Sequence, residues 1–484
     1  MTAQSDSSTF VAAFERYYPG PLVVSLLLVV AVTLITAPVL APVDQLGIVA
    51  TGFYDLLVVQ LALILWWVLS VTLVVSSGVG RGLDGLVDGL ADRITRSPAR
   101  VVGATAVIAL SLGWVNWALG LIGGVYVGQK LCRLADERGV AVHYPAVLTA
   151  GLLGLVLANQ GPTSPGGLLM ADSLLGTGDI SGDLYPGEAA TGDGEEAEQI
   201  TTVEDYDGFF GFFGIEDPVA FSTFLLHPTN LVATLVLLVT IPLLLVKLQP
   251  TENVRTIEET GDLLVTGDIR TRLTEYSPPP REEWTFSDRV ENSWPLAVGT
   301  GLFGMLYVVW YVWSGHSPSL LWLLFALIVL GLIVHRVPQA FIDQCTTASR
   351  WAIAIGLPFV FYAAVIVMVH EADLASSVGG TLGSAPASAL PAYLLAFVVG
   401  VLVPDPGSVW LIVGPILEAA TGDLVASLVV TMFAAGISNL WLGFLFLGIF
   451  ASRIDGFDWR EFTYYAAAIS VYASAVVVGV ALLV

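Results

Sequence analysis

The sequence predicts an all-α polytopic membrane protein with about nine transmembrane helices and two re-entrant hairpins in an inverted repeat. Three observations carry this. Of 484 residues, 56% are hydrophobic and only 12% charged, with a mean hydropathy of +0.81, whereas soluble domains carry about 25% charged residues. The basic residues cluster beside apolar runs, and Lys and Arg in short loops mark the cytoplasmic side of a membrane. Two apolar runs, finally, have both ends on one side and are broken in the middle by glycine, proline or an amide.

The elements follow in order. Residues 10–18 carry Glu15 and Arg16, and the first apolar run has no small-residue cleavage site. The first span, 21–40, is therefore expected to be retained, with the N-terminus cytoplasmic. Asp44 and Asp55 bracket a loop without basic residues, placed outside. Residues 56–75, with Trp66 and Trp67, return to a Gly- and charge-rich stretch that suits an amphipathic surface helix.

Residues 101–130 have Arg93, Arg96 and Arg100 before them and Lys130, Arg133 and Arg138 after them. A run with both ends at the cytoplasm enters and comes back. Its turn falls near 111–120, where glycines and Asn116 interrupt the apolar pattern. Non-helical backbone at membrane depth survives only when buried in protein or lining a wet cavity. Residues 144–170 then cross outward, broken late by the Asn159–Gly167 stretch, NQGPTSPGG.

Residues 172–217 hold thirteen acidic side chains and no Lys or Arg, a composition that cannot bury a core. They are read as outside. Spans at 231–246, 295–313, 320–334 and 352–369 follow. Between them, residues 247–289 hold six of the eighteen basic residues and are read as cytoplasmic. After Arg350 the next basic residue is Arg453. Within that gap, residues 391–420 are split by the run PDPGS at 404–408 and read as a second hairpin, entered from outside. Spans at 424–450 and 464–484 complete the chain, with the C-terminus outside.

The resulting division is a first half at 1–170 containing hairpin 101–130, and an acidic extracellular insert at 171–228. A return span with a cytoplasmic loop follows at 229–294, then a linking span at 295–318. The second half, 319–484, contains hairpin 391–420. One crossing separates the halves, so they are inverted, which is the layout of secondary transporters.

Composition excludes other classes. The formal net charge is −23, from 41 acidic and 18 basic residues, and only Lys130 and Lys247 are lysines. Acid excess with scarce lysine suits concentrated salt, as in a halophile, and the lack of a basic stripe argues against nucleic acid. Cys132 and Cys345 fall in expected cytoplasmic loops without CxxC spacing, predicting neither disulfide nor metal site. HExxH, GxSxG and P-loop patterns are absent, so neither an enzyme nor an ATP-driven pump is expected.

Several stretches resemble the short-chain fatty acid transporter family of the acetoacetate-uptake type. They are VNWALGL at 115–121, GGVYVGQKLCRLADERG, YPAVLTAGLLG, FYDLLVVQLAL at 53–63, the run at 335–376, and VPDPGSVWLIVGP at 403–415. Asn116–Trp117 and Trp410 with Gly414–Pro415 are the most specific points. The resemblance implies a secondary transporter of small carboxylates in the plasma membrane, with Na⁺ or H⁺ as coupling ion and no other cofactor. It is also compatible with a homodimer. Departures are equally specific. The third span reads GPTSPGG, Asp405, Pro406 and Ser408 replace most of a Pro-Ser-Gly-Gly-Gly run, and Trp441, Phe444 and Leu445 stand where Asn and Gln-Pro are usual. These last changes define the rival reading, a scaffold or sensor derived from the family that no longer transports.

Broken helices offer unpaired N–H groups and a positive dipole end to an anion. On this basis Asn116, Thr163, Ser164 and Ser408, with backbone near Gly120, Gly161 and Gly407, line one expected cavity, and Trp117 and Trp410 adjoin its two hairpin breaks. The alternative is that the glycines permit close packing and Asn116 bonds a neighbouring helix. Asp405 could carry a proton, bind Na⁺, bar an anion, or cap a half-helix. Ser438 and Asn439 interrupt the eighth span and either face the cavity or join helices.

Overall fold

The computed structural model describes residues 21–171, 219–257, 276–384, 389–403, 405–441 and 459–483. The acidic stretch at 172–217, together with Phe444 and Leu445, lies outside these residues. Among the described residues there are helices and no strand.

The first half begins with α1 (Pro21–Thr36) and α2 (Pro42–Asp55). Residues 44–55 are thus helical where the sequence suggested a loop. The cause is local: Gln45 Nε2 donates to Thr33 O and Thr36 Oγ1, both at 2.9 Å, folding α2 back on α1. α3 (Leu57–Val74) meets α4 (Ser77–Ile94) at a 56° bend. Ser76 caps α4 by accepting from Val79 N at 3.2 Å. Gly80, Leu83, Val87 and Ala91 form its buried stripe, the three-and-four spacing of a surface helix.

The arms of the first hairpin are α5 (Pro98–Val115) and α6 (Gly124–Asp136), joined through Asn116 and a π-helical turn at Leu119–Gly123. Glycine contacts fix how they run. A Cβ on Gly120 would lie 2.3 Å from Gly113 Cα, one on Gly124 2.7 Å from Ala109 Cβ, and one on Gly128 2.7 Å from Thr105 Cγ2. As one number rises by four the other falls by four, so the arms are antiparallel and the fold-back is at Asn116–Trp117. At the far end Lys130 pairs with Asp84 (3.1 Å) and Asp88 (3.0 Å) of α4.

The following segment is broken into α7 (Tyr144–Leu152), α8 (Gly154–Leu157) and α9 (Pro165–Met170). α10 (Phe221–Leu225) and α11 (Pro228–Leu248) complete the half. α12 (Phe286–Glu291) starts with a capping box between Thr285 and Asp288 and leads to α13 (Trp294–Trp313). α13 is exposed along most of its length.

In the second half α14 (Leu320–His335) leads to α15 (Pro338–Glu371). α15 starts fourteen residues before the span read from the sequence. The polar stretch after Pro338 contains no helix breaker, and proline at the first helical position starts it. At 34 residues it is about 51 Å long, more than a bilayer core requires. Cys345 lies in this helix and Cys132 in α6, so both are helical and not in loops. α15 meets α16 (Leu374–Gly383) at a 73° bend. α17 (Ala389–Leu402) and α18 (Pro406–Thr421) are the arms of the second hairpin, followed by α19 (Leu424–Ser438) and α20 (Trp459–Leu483).

Four described helices are long and apolar enough to cross a membrane, or six if each bent pair counts as one span. α1, α14, α17, α19 and the α7–α8 pair are apolar but shorter. Length and composition therefore support a multi-pass protein without themselves giving nine spans.

Candidate functional site

Both hairpin breaks meet the same face of α3. Asn116, which ends α5 in extended conformation, is 4% exposed. Its Oδ1 accepts from Ala118 N (3.0 Å) and Leu119 N (3.3 Å), while Nδ2 donates to Ser70 Oγ of α3 at 3.0 Å. The neighbouring Trp117 ring lies 4.2 Å from Trp67 and 5.8 Å from Trp66, centroid to centroid.

From the other hairpin, Asp405 caps α18 by accepting from Ser408 N at 2.6 Å. Asp405 and Ser408 are fully buried. The Trp67 indole faces the Asp405 carboxylate. A Cβ on Gly407 would lie 3.1 Å from the methyls of Leu63, one turn earlier on α3. Leu63, Trp66, Trp67 and Ser70 recur at three- and four-residue spacing, one helical face. That face carries Gly407 and Asp405 at one end and Trp117 and Asn116 at the other.

The break between α8 and α9 closes on the first hairpin. A Cβ on Gly161 would lie 1.7 Å from Trp114 O, so only glycine permits this approach. Thr163 Oγ1 donates to Val115 O at 2.9 Å, satisfying a carbonyl that the end of α5 leaves open. Ser164 caps α9 by accepting from Gly167 N (3.3 Å). α9 also packs against α18, so this break lies between the two hairpins.

The remaining sequence candidates sit apart. Trp410 folds over Gly414 of its own helix, 2.9 Å from where a Cβ would be. Ser438 Oγ donates to Ala435 O (2.9 Å) and lies against Gly400 of α17. Asn439 forms the C-cap of α19, its backbone N–H donating to Ala435 O. Ser438 thus joins two helices, which is the bland alternative for that pair.

Sequence reasoning missed two groups. One is the α3 face. Its signal was available, since two adjacent tryptophans and a serine in the middle of a span are out of place for an interfacial belt. The other is the amide pair Asn159–Gln160, at 1% and 0% exposure. Asn159 Nδ2, both polar atoms of the Gln160 amide and Trp66 Nε1 are buried without a hydrogen-bond partner. Such atoms are rare in folded proteins because each costs about 1–3 kcal/mol. By contrast, the half-helix N-termini are already capped by this chain's own Asn116 and Asp405 side chains. The donors left for a ligand are therefore side-chain amides and an indole, and not the helix ends. Among the described residues no group of three or more His, Cys, Asp or Glu is placed to hold a metal.

The profile of the short chain fatty acid transporter family matches residues 4–183 and 201–484. An Escherichia coli (strain K12) protein provisionally named a short-chain fatty acid transporter is 23% identical over 468 residues, covering 95% of this chain and 94% of its own. A Haemophilus influenzae protein of the same provisional name is 23% identical over 453 residues, covering 90% and 89%. Among solved structures, the YdaH transporter of Alcanivorax borkumensis superposes with a TM-score of 0.52 over 96% of this chain and 97% of that one. Its identity is 11%, so the likeness is one of fold.

Proposed function

This chain belongs to the short chain fatty acid transporter family, and from that premise we propose that it moves small carboxylates across the plasma membrane by ion-coupled alternating access. The observation that carries the reading is the set of unpartnered donors: Trp66 on the α3 face, and Asn159 and Gln160 in the break that closes on the first hairpin. A carboxylate is acceptor-only and supplies what these donors lack. Trp67, Trp117 and Leu63 give an apolar surface suited to a short acyl chain.

Two bent pairs, α3–α4 and α15–α16, each precede a hairpin. That order supports an inverted repeat of nine spans, with hairpins reaching the midplane, the N-terminus in the cytoplasm and the C-terminus outside. The coupling ion, H⁺ or Na⁺, is assigned to Asp405. A fully buried carboxylate must be neutralised, and among the described residues no Lys, Arg or His pairs with it.

The test is uptake of labelled butyrate and acetoacetate into proteoliposomes, in high salt, under imposed Na⁺ or pH gradients. Uptake driven by one gradient and reduced at least about tenfold by Asn116→Ala, a loss of more than 1.4 kcal/mol, supports the reading. Folded protein that takes up neither acid, under either gradient, favours the non-transporting alternative.

A further inference from the structure

A cavity of about 400 Å³ lies away from the hairpin tips, where the segment 276–294 crosses the junction of α14 and α15. Its wall includes Arg281, Trp284, His335 and Gln344, with Val337 and Ala340 from the start of α15. Although 41 residues of this chain are acidic, no Asp or Glu lines it.

Three features point to an anion. The first turn of α15 opens here, and its N-cap, Val337, has no side chain able to accept from the free N–H groups. A 34-residue helix therefore presents an uncapped positive end to the cavity. Arg281 stands beside it, its guanidinium 5.6 Å from the Trp284 ring centre. Trp284 is itself fixed by donating from Nε1 to Pro279 O at 2.7 Å. Among the described residues no carboxylate pairs with Arg281. Independently, Gln344 is 2% exposed and its Oε1 has no partner. Oxygen and nitrogen of an amide exchange by a half-turn, so Gln344 can offer an N–H to an anion.

We propose that this cavity binds a small organic anion, a flat apolar body ending in a phosphate or carboxylate. The charged end meets Arg281, Gln344 and the α15 N-terminus, and the flat body lies against Trp284. His335 ties the cavity to the transport face, because its Nε2 donates to Thr72 O at 2.9 Å, in the α3 turn that follows Ser70.

The test is calorimetric titration of the purified full-length protein with phenyl phosphate, at the lowest salt that keeps it folded, with phenol as the uncharged control. One saturable site is expected for phenyl phosphate and none for phenol. Arg281→Gln and Gln344→Leu should each weaken binding by roughly tenfold or more, as loss of a charge-assisted hydrogen bond does. Asn116→Ala should leave it unchanged, so the result stands apart from any uptake assay. Added phosphatidylglycerol that displaces phenyl phosphate identifies a lipid headgroup as the natural anion. Persistence of binding identifies a soluble one, and either supports the site. No saturation at millimolar concentration, equal binding of phenol, or indifference to both variants overturns the proposal.

Discussion

Gln160 separates a folding role from a functional one more sharply than any other residue near the hairpins. Neither atom of its buried amide has a partner within the chain, so the side chain costs stability at about 1–3 kcal/mol per unsatisfied group. Gln160→Leu keeps the approximate size and removes the polar atoms. The melting temperature should stay level or rise, while uptake should fall at least about tenfold, the loss expected for a hydrogen bond to a charged substrate. A variant that melts earlier and transports normally would mark Gln160 as structural. Asn116 behaves in the opposite way. It holds Ser70 and two backbone amides, so alanine there also loses a cap, about 0.5–2 kcal/mol, and its thermal stability has to be measured beside its flux.

At the scale of elements, the antiparallel pairing of α5 and α6 has a direct chemical test. In a background with Cys132 and Cys345 replaced by serine, Thr105→Cys with Gly128→Cys should oxidise rapidly to a disulfide, because residue 128's Cβ would sit 2.7 Å from Thr105 Cγ2. Slow or absent cross-linking would mean that the arms do not pack as described. The existence of this hairpin was legible because arginines at both ends and glycines in the middle are one-dimensional signals. Its partner was not. Nothing in the order of residues says that Ser70 faces Asn116, or that Leu63 faces Gly407 across more than 300 positions of chain. α2 was missed for a similar reason, since Gln45 makes its fold-back bonds to a helix that a linear reading treats as finished. The N-terminus that follows Asn116 looked free in the sequence, whereas a half-helix cap was already one reading of Asp405, and the structure shows both side chains in that role.

For the whole molecule, the proposed inverted repeat has the two hairpins enter from opposite sides, and this is a statement about accessibility. Ser97 and Glu137 flank the first hairpin, and Ser384 and Thr421 flank the second. Single cysteines at these four places, in the cysteine-free background, should react with a membrane-impermeant maleimide in two groups. Those at 97 and 137 should label only when the reagent reaches the cytoplasmic face, and those at 384 and 421 only from outside. The physical ground is charge. Lys130, Arg133 and Arg138 end the first hairpin in a basic cluster held partly by α4 carboxylates, whereas the second is bordered by Glu371, Asp373 and Asp423 and by no basic residue between Arg350 and Arg453. The asymmetry of Lys and Arg sets orientation, and acidic residues contribute little to it, so the expected side of the first hairpin rests on its own charges and that of the second only on the spans that connect it. If all four positions label from one face, the halves are parallel, both hairpins open to the same compartment, and alternating access between two inverted halves is excluded for this chain. The two-group pattern would instead leave the α3 face, with Trp67 between Trp117 and Asp405, as the place where paths from the two sides converge.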